Sequence, residues 1–434
     1  MDKMADVLGR AGAWCGQNKY LSAIKNAFQN FMPLTIAGAI GVLWCNVLVN
    51  ESTGLGIFFK PIMALEFLNP AFQAVNFCTI SCITVGITLG IAQEIGVWNM
   101  GAEKAGYIPG LVGLAAWLSV TNTSHMVEGA KEAFTGIAGN ELGATGLFTG
   151  MIIGVLSVEL FCFFEKQDAL KIKMPEQVPP GVARAFEVLV PATITLIITA
   201  CIGSACYNLT GLYLNDVIKN GIQGPLGAVG ATIPGVMIIY LVIMLFWLVG
   251  IHGNNMLSAV KEALFTPLAL ENVEKFNKGE KPTNIINMYF LQMCGEFGGS
   301  GVTIGLVIAI MIFGKREDNK AIATLSLVPG LFNINETVTF GIPMVLNPIL
   351  GIPFVVAPLI TIIIGYVLTV IGFCPVACLT VPWTTPPIVF GFLACGANVM
   401  GAVTQAILIV VSTVIYTPFL ISYEKYQNKQ AAEA

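Results

Sequence analysis

Apolar runs recur along the chain at a length set by lipid. A helix needs about 20 apolar residues to cross a bilayer. Residues 31–49, 74–95, 105–121 and 143–164 meet that pattern. A polar, basic stretch follows at 165–184, marked by Pro175, Pro179 and Pro180, and is the best domain boundary in the chain. Beyond it, 188–207 and 228–250 read as full crossings. A shorter apolar piece at 259–270 precedes the charged stretch 271–281. The run 285–313 is broken by Gly295-Glu296-Phe297-Gly298-Gly299-Ser300-Gly301. The run 325–348 is broken by Pro329, Gly330, Gly341, Pro343 and Pro348. Two apolar runs remain, 354–373 and 399–421, with a Pro-rich break at 381–387 between them. Irregular backbone at membrane depth is tolerated only where protein or a water-filled cavity satisfies it. The pattern therefore predicts an all-α polytopic membrane protein of about ten transmembrane helices, plus two segments that enter and leave by one face.

The start of the chain differs. Met4, Val7, Leu8, Ala11, Trp14 and Cys15 recur at helical spacing, opposite Asp2, Lys3, Asp6, Arg10 and Gln17. That predicts an amphipathic helix lying on the membrane surface. The first 25 residues are not apolar enough for a signal peptide.

Composition agrees with the pattern. Only 11% of the 434 residues are charged, against about 25% in soluble domains. Net charge is −4 with no long basic run, so nothing points to nucleic acid. Most of the eleven cysteines, such as Cys45, Cys162 and Cys201, lie in apolar runs. Cys78/Cys82 and Cys374/Cys378 lack zinc-knuckle spacing, so no metal or other cofactor is expected. Basic clusters at Lys19 and Lys25, 166–184, 261–281, 315–320 and 425–429 fall on one side if four helices precede the polar stretch. The positive-inside rule makes that side the cytoplasm and places both termini there.

An ionisable group inside an apolar run marks a candidate functional site. Glu336, flanked by Asn333 and Asn335, is the strongest. Its amides and carboxylate suit sugar hydroxyls, and the bland alternative is a glutamate bonded to backbone. His252 ends an apolar run and opens His252-Gly253-Asn254-Asn255, where glycines allow a sharp turn. A structural helix cap is its alternative. Glu296 sits in the glycine-rich break, whose N–H groups, if exposed, suit a phosphate cradle. No Gly-Lys-Ser/Thr follows, so it is not a nucleotide loop. Trp383, with Thr384 and Thr385 between prolines, suits stacking on a pyranose face, or anchoring at the interface. His125, beside Glu128 and Lys131, reads as a solvated loop residue. Gly90, Gly96, Gly101, Gly106, Gly110 and Gly113 suggest close helix packing.

Four stretches together resemble a known family. They are HGNN at His252, FNINETVTFGIPMVLNP at 332–348, MPEQVPPGVARAFEVLVP at 174–191, and PWTTP at 382–386. The combination resembles enzyme IIC, the membrane component of the bacterial sugar phosphotransferase system, in its lactose/cellobiose (N,N'-diacetylchitobiose) branch. Thr337 stands where that branch often has Pro.

The resemblance implies a homodimer in the bacterial cell membrane. Residues 1–164 would form the scaffold and dimerisation part, 165–184 a cytoplasmic linker, and 185–434 mostly a sugar-binding transport domain with two re-entrant hairpins. That domain would move like an elevator with a β-linked disaccharide of the cellobiose or chitobiose kind. A separate phosphorylated enzyme IIB would then pass phosphate to the sugar 6-hydroxyl. Glu336 and His252 would act on that hydroxyl. Asn254, Asn255, Glu296, Asn333, Asn335, Trp383 and Thr384 would bind the sugar. The chain would be non-catalytic alone and complete a sugar phosphotransferase with IIB. Two other classes fit the residues less fully: an ion-coupled secondary sugar transporter and a non-transporting sugar sensor.

Overall fold

The computed structural model describes residues 9–11, 13–14, 16–51, 56, 59–125, 134–175, 177–342 and 344–433, with 228 and 229 as backbone only. Most of the expected surface helix (Met4, Val7, Leu8, Cys15) lies outside them, as do Glu128, Lys131 and Pro343. Ala11 and Trp14 are helical and exposed.

The chain folds into two compact units whose segments interleave. One holds Gln17–Gly38 and Val75–Gly227; the other holds Met1–Gly16, Ala39–Ala74 and Ala228–Ala434. The polar stretch 165–184 lies inside the first of these units, whose last segment ends at Gly227. Glu165, nearly fully buried, receives Lys104 at 2.8 Å and Arg184 at 3.0 Å, and Arg184 also meets Glu187 at 2.7 Å. These ion pairs tie both ends of the polar stretch into one unit.

Helices α1 (Lys19–Leu43) and α2 (Asn69–Cys78) belong only in part to that unit, which holds all of α3 (Ile83–Met100), α4 (Ile108–Val120), α5 (Ala144–Glu165) and α6 (Pro180–Thr210). Helices α3, α4 and α5 pack on one another, and α6 packs on α4 and α5. Small residues let them approach. A Cβ on Gly113 would lie 2.3 Å from that of Ala92, and one on Gly96 would lie 2.2 Å from Pro109. Gly101 and Gly106 serve a different purpose, making positive-φ turns in open space. Trp117, Ala116, Val120 and Ile153 form the buried centre. His125 lies on a two-residue strand, Ser124–His125, paired with Phe134–Thr135. Its ring meets Phe134 and the Asn122 carbonyl.

The second unit carries α7 (Ile233–Leu248), α8 (Ser258–Asn277), α9 (Met288–Gly295), α10 (Ile304–Phe313), α11 (Glu317–Leu331), α12 (Glu336–Gly341), α13 (Gly351–Val370), α14 (Val389–Ala394) and α15 (Val399–Glu433). Helix α15 packs against α10, α13 and α14. Near its end, buried Glu424 accepts the backbone N–H groups of Lys315 (2.8 Å) and Arg316 (3.4 Å) and the Asn319 amide (3.1 Å). It thereby fastens the turn between α10 and α11.

Among the described residues six helices are long and apolar enough to cross a membrane, and up to seven if a bent pair counts as one span. The pair is 288–302 with 304–313, bent by 59° at the glycine-rich break. Two runs expected to cross fully are shorter: α4 has 13 residues and α7 has 16. At 1.5 Å per residue, neither reaches the ~30 Å of hydrocarbon unaided. Leu156, Phe163, Ile197, Ile202, Val410 and Val414 are exposed on the long helices. Side chains of this kind facing outward are what lipid, rather than water, requires.

Candidate functional site

His252 and Glu336 meet. His252 Nε2 lies 3.9 Å from Glu336 Oε1, and both side chains are more than one-third exposed. The chain leaves α7 through Gly250 at φ +82°, and His252 caps the one-turn helix Gly253–Met256. Gly253 is needed for space rather than for turning. A Cβ there would sit 2.0 Å from the Ile243 carbonyl oxygen. The turn after α12 is drawn to the same place, since Leu346 N–H donates to the Leu248 carbonyl at 2.8 Å.

The imidazole is oriented on both sides. Asn255 N–H donates to Nδ1 at 3.3 Å, so in the neutral ring the proton sits on Nε2, facing Glu336. The ring also packs on buried Trp247, centroid to centroid 4.3 Å. A gap of 3.9 Å is too long for a hydrogen bond. It suits one hydroxyl oxygen lying about 2.8 Å from both atoms, accepting from Nε2–H and donating to the carboxylate.

Glu296 lies within electrostatic reach of His252. Its Oε1 accepts from Tyr240 Oη at 2.9 Å and Asn254 Nδ2 at 3.4 Å, and pairs with Lys261 Nζ. Lys261 is buried. The sequence placed it in a cytoplasmic basic cluster; the structure turns it inward, because Glu296 needs a counter-charge. Lys275, Lys278 and Lys281 carry what remains of that cluster.

The other amides have structural duties. Asn333 Oδ1 accepts Gly298 N–H at 2.6 Å. Its Nδ2 donates to the Trp383 carbonyl and, at 3.1 Å, to the Thr385 carbonyl. Buried Asn335 donates to the Ser300 carbonyl at 2.7 Å and to Thr339 Oγ1 at 3.1 Å. These bonds brace the broken segments beside Glu336. Trp383 remains 44% exposed, held by that brace, with Thr384 half-buried next to it. Asn255 is exposed.

The glycine-rich break does not present a cradle. Gly298 N–H goes to Asn333, Gly299 N–H to the Glu296 carbonyl, and Val302 N–H to the Gly299 carbonyl. Residues 297–302 are buried.

Three contributors escaped the sequence reading: Lys261, Tyr240 and Gln405. Buried Gln405 accepts Ile388 N–H (2.7 Å) and Gly391 N–H (2.8 Å), and so ends the Pro-rich loop of Trp383. Gln405, in an apolar stretch of α15, was the available signal.

Comparison with known proteins follows the same lines. The family model for the phosphotransferase system EIIC matches residues 25–358. The chain is 32% identical over 429 residues to the oligo-beta-mannoside-specific EIIC component of Bacillus subtilis (strain 168), covering 98% of this chain and 94% of that one. It is 29% identical over 486 residues to the cellobiose-specific EIIC component of Lactococcus lactis subsp. lactis (strain IL1403), covering 98% of each. The crystal structure of the transporter ChbC, the IIC component from the N,N'-diacetylchitobiose-specific phosphotransferase system, matches with a TM-score of 0.88 at 29% identity, over 97% of each chain.

Proposed function

Because the chain belongs to the phosphotransferase system EIIC family, we propose that it is the membrane permease subunit for a β-linked disaccharide of the cellobiose or chitobiose kind. The sugar is held between Trp383 and the His252–Glu336 pair. Its 6-hydroxyl occupies the 3.9 Å gap between Nε2 and Oε1, and this gap is the observation that carries the reading.

The chemistry follows from the gap. Glu336 accepts the hydroxyl proton while the oxygen attacks the phosphorus carried by a cysteine of enzyme IIB. An O–P bond forms, the S–P bond breaks, and the thiolate leaves with IIB. Little covalent work falls to the permease. Its contribution is to place one hydroxyl and remove water from around it.

Elevator-like transport is supported by the placement of the site. All the proposed site residues belong to Ala228–Ala434, within one compact unit. The other unit, with its close glycine-lined helix packing, suits a stationary scaffold and a homodimer interface. We further infer that both termini and the stretch 165–184 are cytoplasmic, from the placement of lysine and arginine.

The test is binding of labelled cellobiose and N,N'-diacetylchitobiose to purified protein, followed by phosphorylation with phosphorylated IIB. Saturable binding of at least one sugar and IIB-dependent product are expected. Uptake into vesicles on an ion gradient alone, without IIB, would overturn the group-transfer reading. In the same assay Trp383→Ala should weaken binding by about five- to tenfold, the ~1–1.5 kcal/mol expected of an aromatic contact. An unchanged dissociation constant would remove stacking.

A further inference from the structure

Glu296 is gripped by one oxygen only. Tyr240, Asn254 and Lys261 come from α7, the one-turn helix Gly253–Met256 and α8, and all three donate to Oε1. Among the described residues none donates to Oε2. Nor is Oε2 sealed in, unlike Trp247 Nε1 and Asn254 Oδ1, which are buried without a partner. The Glu296 side chain is 17% exposed, and that of Lys261 is 8% exposed. A buried lysine is costly unless paired, and removing one partner leaves the other charge stranded. Stability alone would be served as well by apolar residues of similar volume. The arrangement instead holds a carboxylate with one oxygen occupied and the other presented at a fixed angle. Tyr240, His252, Lys261 and Glu262 lie within electrostatic reach of it. Glu336 has no such grip: among the described residues its one titratable partner within 4 Å is His252, at 3.9 Å.

We propose that Lys261, with Tyr240 and Asn254, is a positioning residue that pins Glu296 by Oε1 so that Oε2 stands as a fixed second acceptor for a sugar hydroxyl other than the one phosphorylated. This rests on the sugar-site reading above. It divides labour between two carboxylates. Glu336, half-exposed and loosely held, takes a proton. Glu296, pinned and ion-paired, sets affinity and hydroxyl configuration.

The experiment compares Lys261→Met, the double variant Lys261→Met/Glu296→Gln, and Tyr240→Phe in the full-length protein. Labelled cellobiose and N,N'-diacetylchitobiose are the probes, and thermal melting is followed alongside. Lys261→Met strands a carboxylate and should melt earlier. The double variant removes both charges and should recover the melting temperature. It should still bind the retained sugar about tenfold more weakly or worse, the loss expected for a charged hydrogen bond. Tyr240→Phe strands no charge and should raise KM several-fold with kcat at saturating sugar held near wild type. Wild-type affinity in the double variant, or an unchanged KM in Tyr240→Phe, would make the pair purely structural and end the proposal. No saturable binding of either sugar by the wild type would remove the sugar site itself, and this role with it.

Discussion

Glu336→Gln should leave sugar binding within a few-fold of wild type and reduce IIB-dependent phosphorylation by about 10²–10⁴-fold, the usual yield of a positioned general base. The amide keeps the size of the carboxylate and can still accept a hydrogen bond. It cannot take the proton that must leave as the hydroxyl attacks phosphorus. Among the described residues no other carboxylate lies within 4 Å of His252, and the neutral ring presents N–H, not a lone pair, to the gap. His252→Ala should behave differently, lowering affinity and turnover together, because the imidazole orients the hydroxyl before and during transfer. Wild-type turnover in Glu336→Gln, measured at saturating sugar and phospho-IIB, would take this carboxylate out of the reaction.

Gly301→Ala should destabilise the fold and weaken sugar binding with it. Gly301 has φ +78°, and an added Cβ would lie 2.3 Å from Phe354 Cδ2. The left-handed backbone costs an ordinary residue about 1–2 kcal/mol, and overpacking adds about 1–3 kcal/mol. The local structure cannot easily yield. Tyr416 donates to the Gly301 carbonyl at 2.8 Å, and Thr303 Oγ1 donates to that of Gly298 at 2.9 Å. Glu296 opens this turn, so a shift here moves the pinned carboxylate. The expected result is a melting temperature several degrees lower in detergent and weaker binding of the retained sugar. A melt and an affinity both equal to wild type would show that the turn tolerates a methyl group.

Much of this was legible in the chain because lipid imposes a simple rule on composition. Runs of apolar residues marked the helices, and their interruptions marked the irregular stretches at 295–301 and within 325–348. Glu336 and His252 stood out because ionisable groups are rare in such runs. What stayed hidden depended on contacts distant in sequence. Asn333 reads as a ligand-binding amide until its partners at Gly298, Trp383 and Thr385 are known. Lys261 reads as a surface charge because charged residues follow it, yet its own helix buries it against Glu296. The glycine-rich break resembles an anion cradle by composition, whereas the N–H groups of Gly298, Gly299 and Val302 are spent within the fold.

One amide joins three stretches of this site: 296–299, 333–336 and 383–385. Anyone wishing to retarget the permease by grafting recognition segments from a relative must therefore move those stretches as a set. A chimera that imports the tryptophan loop alone would inherit a ring whose anchoring carbonyls no longer match the host's asparagine.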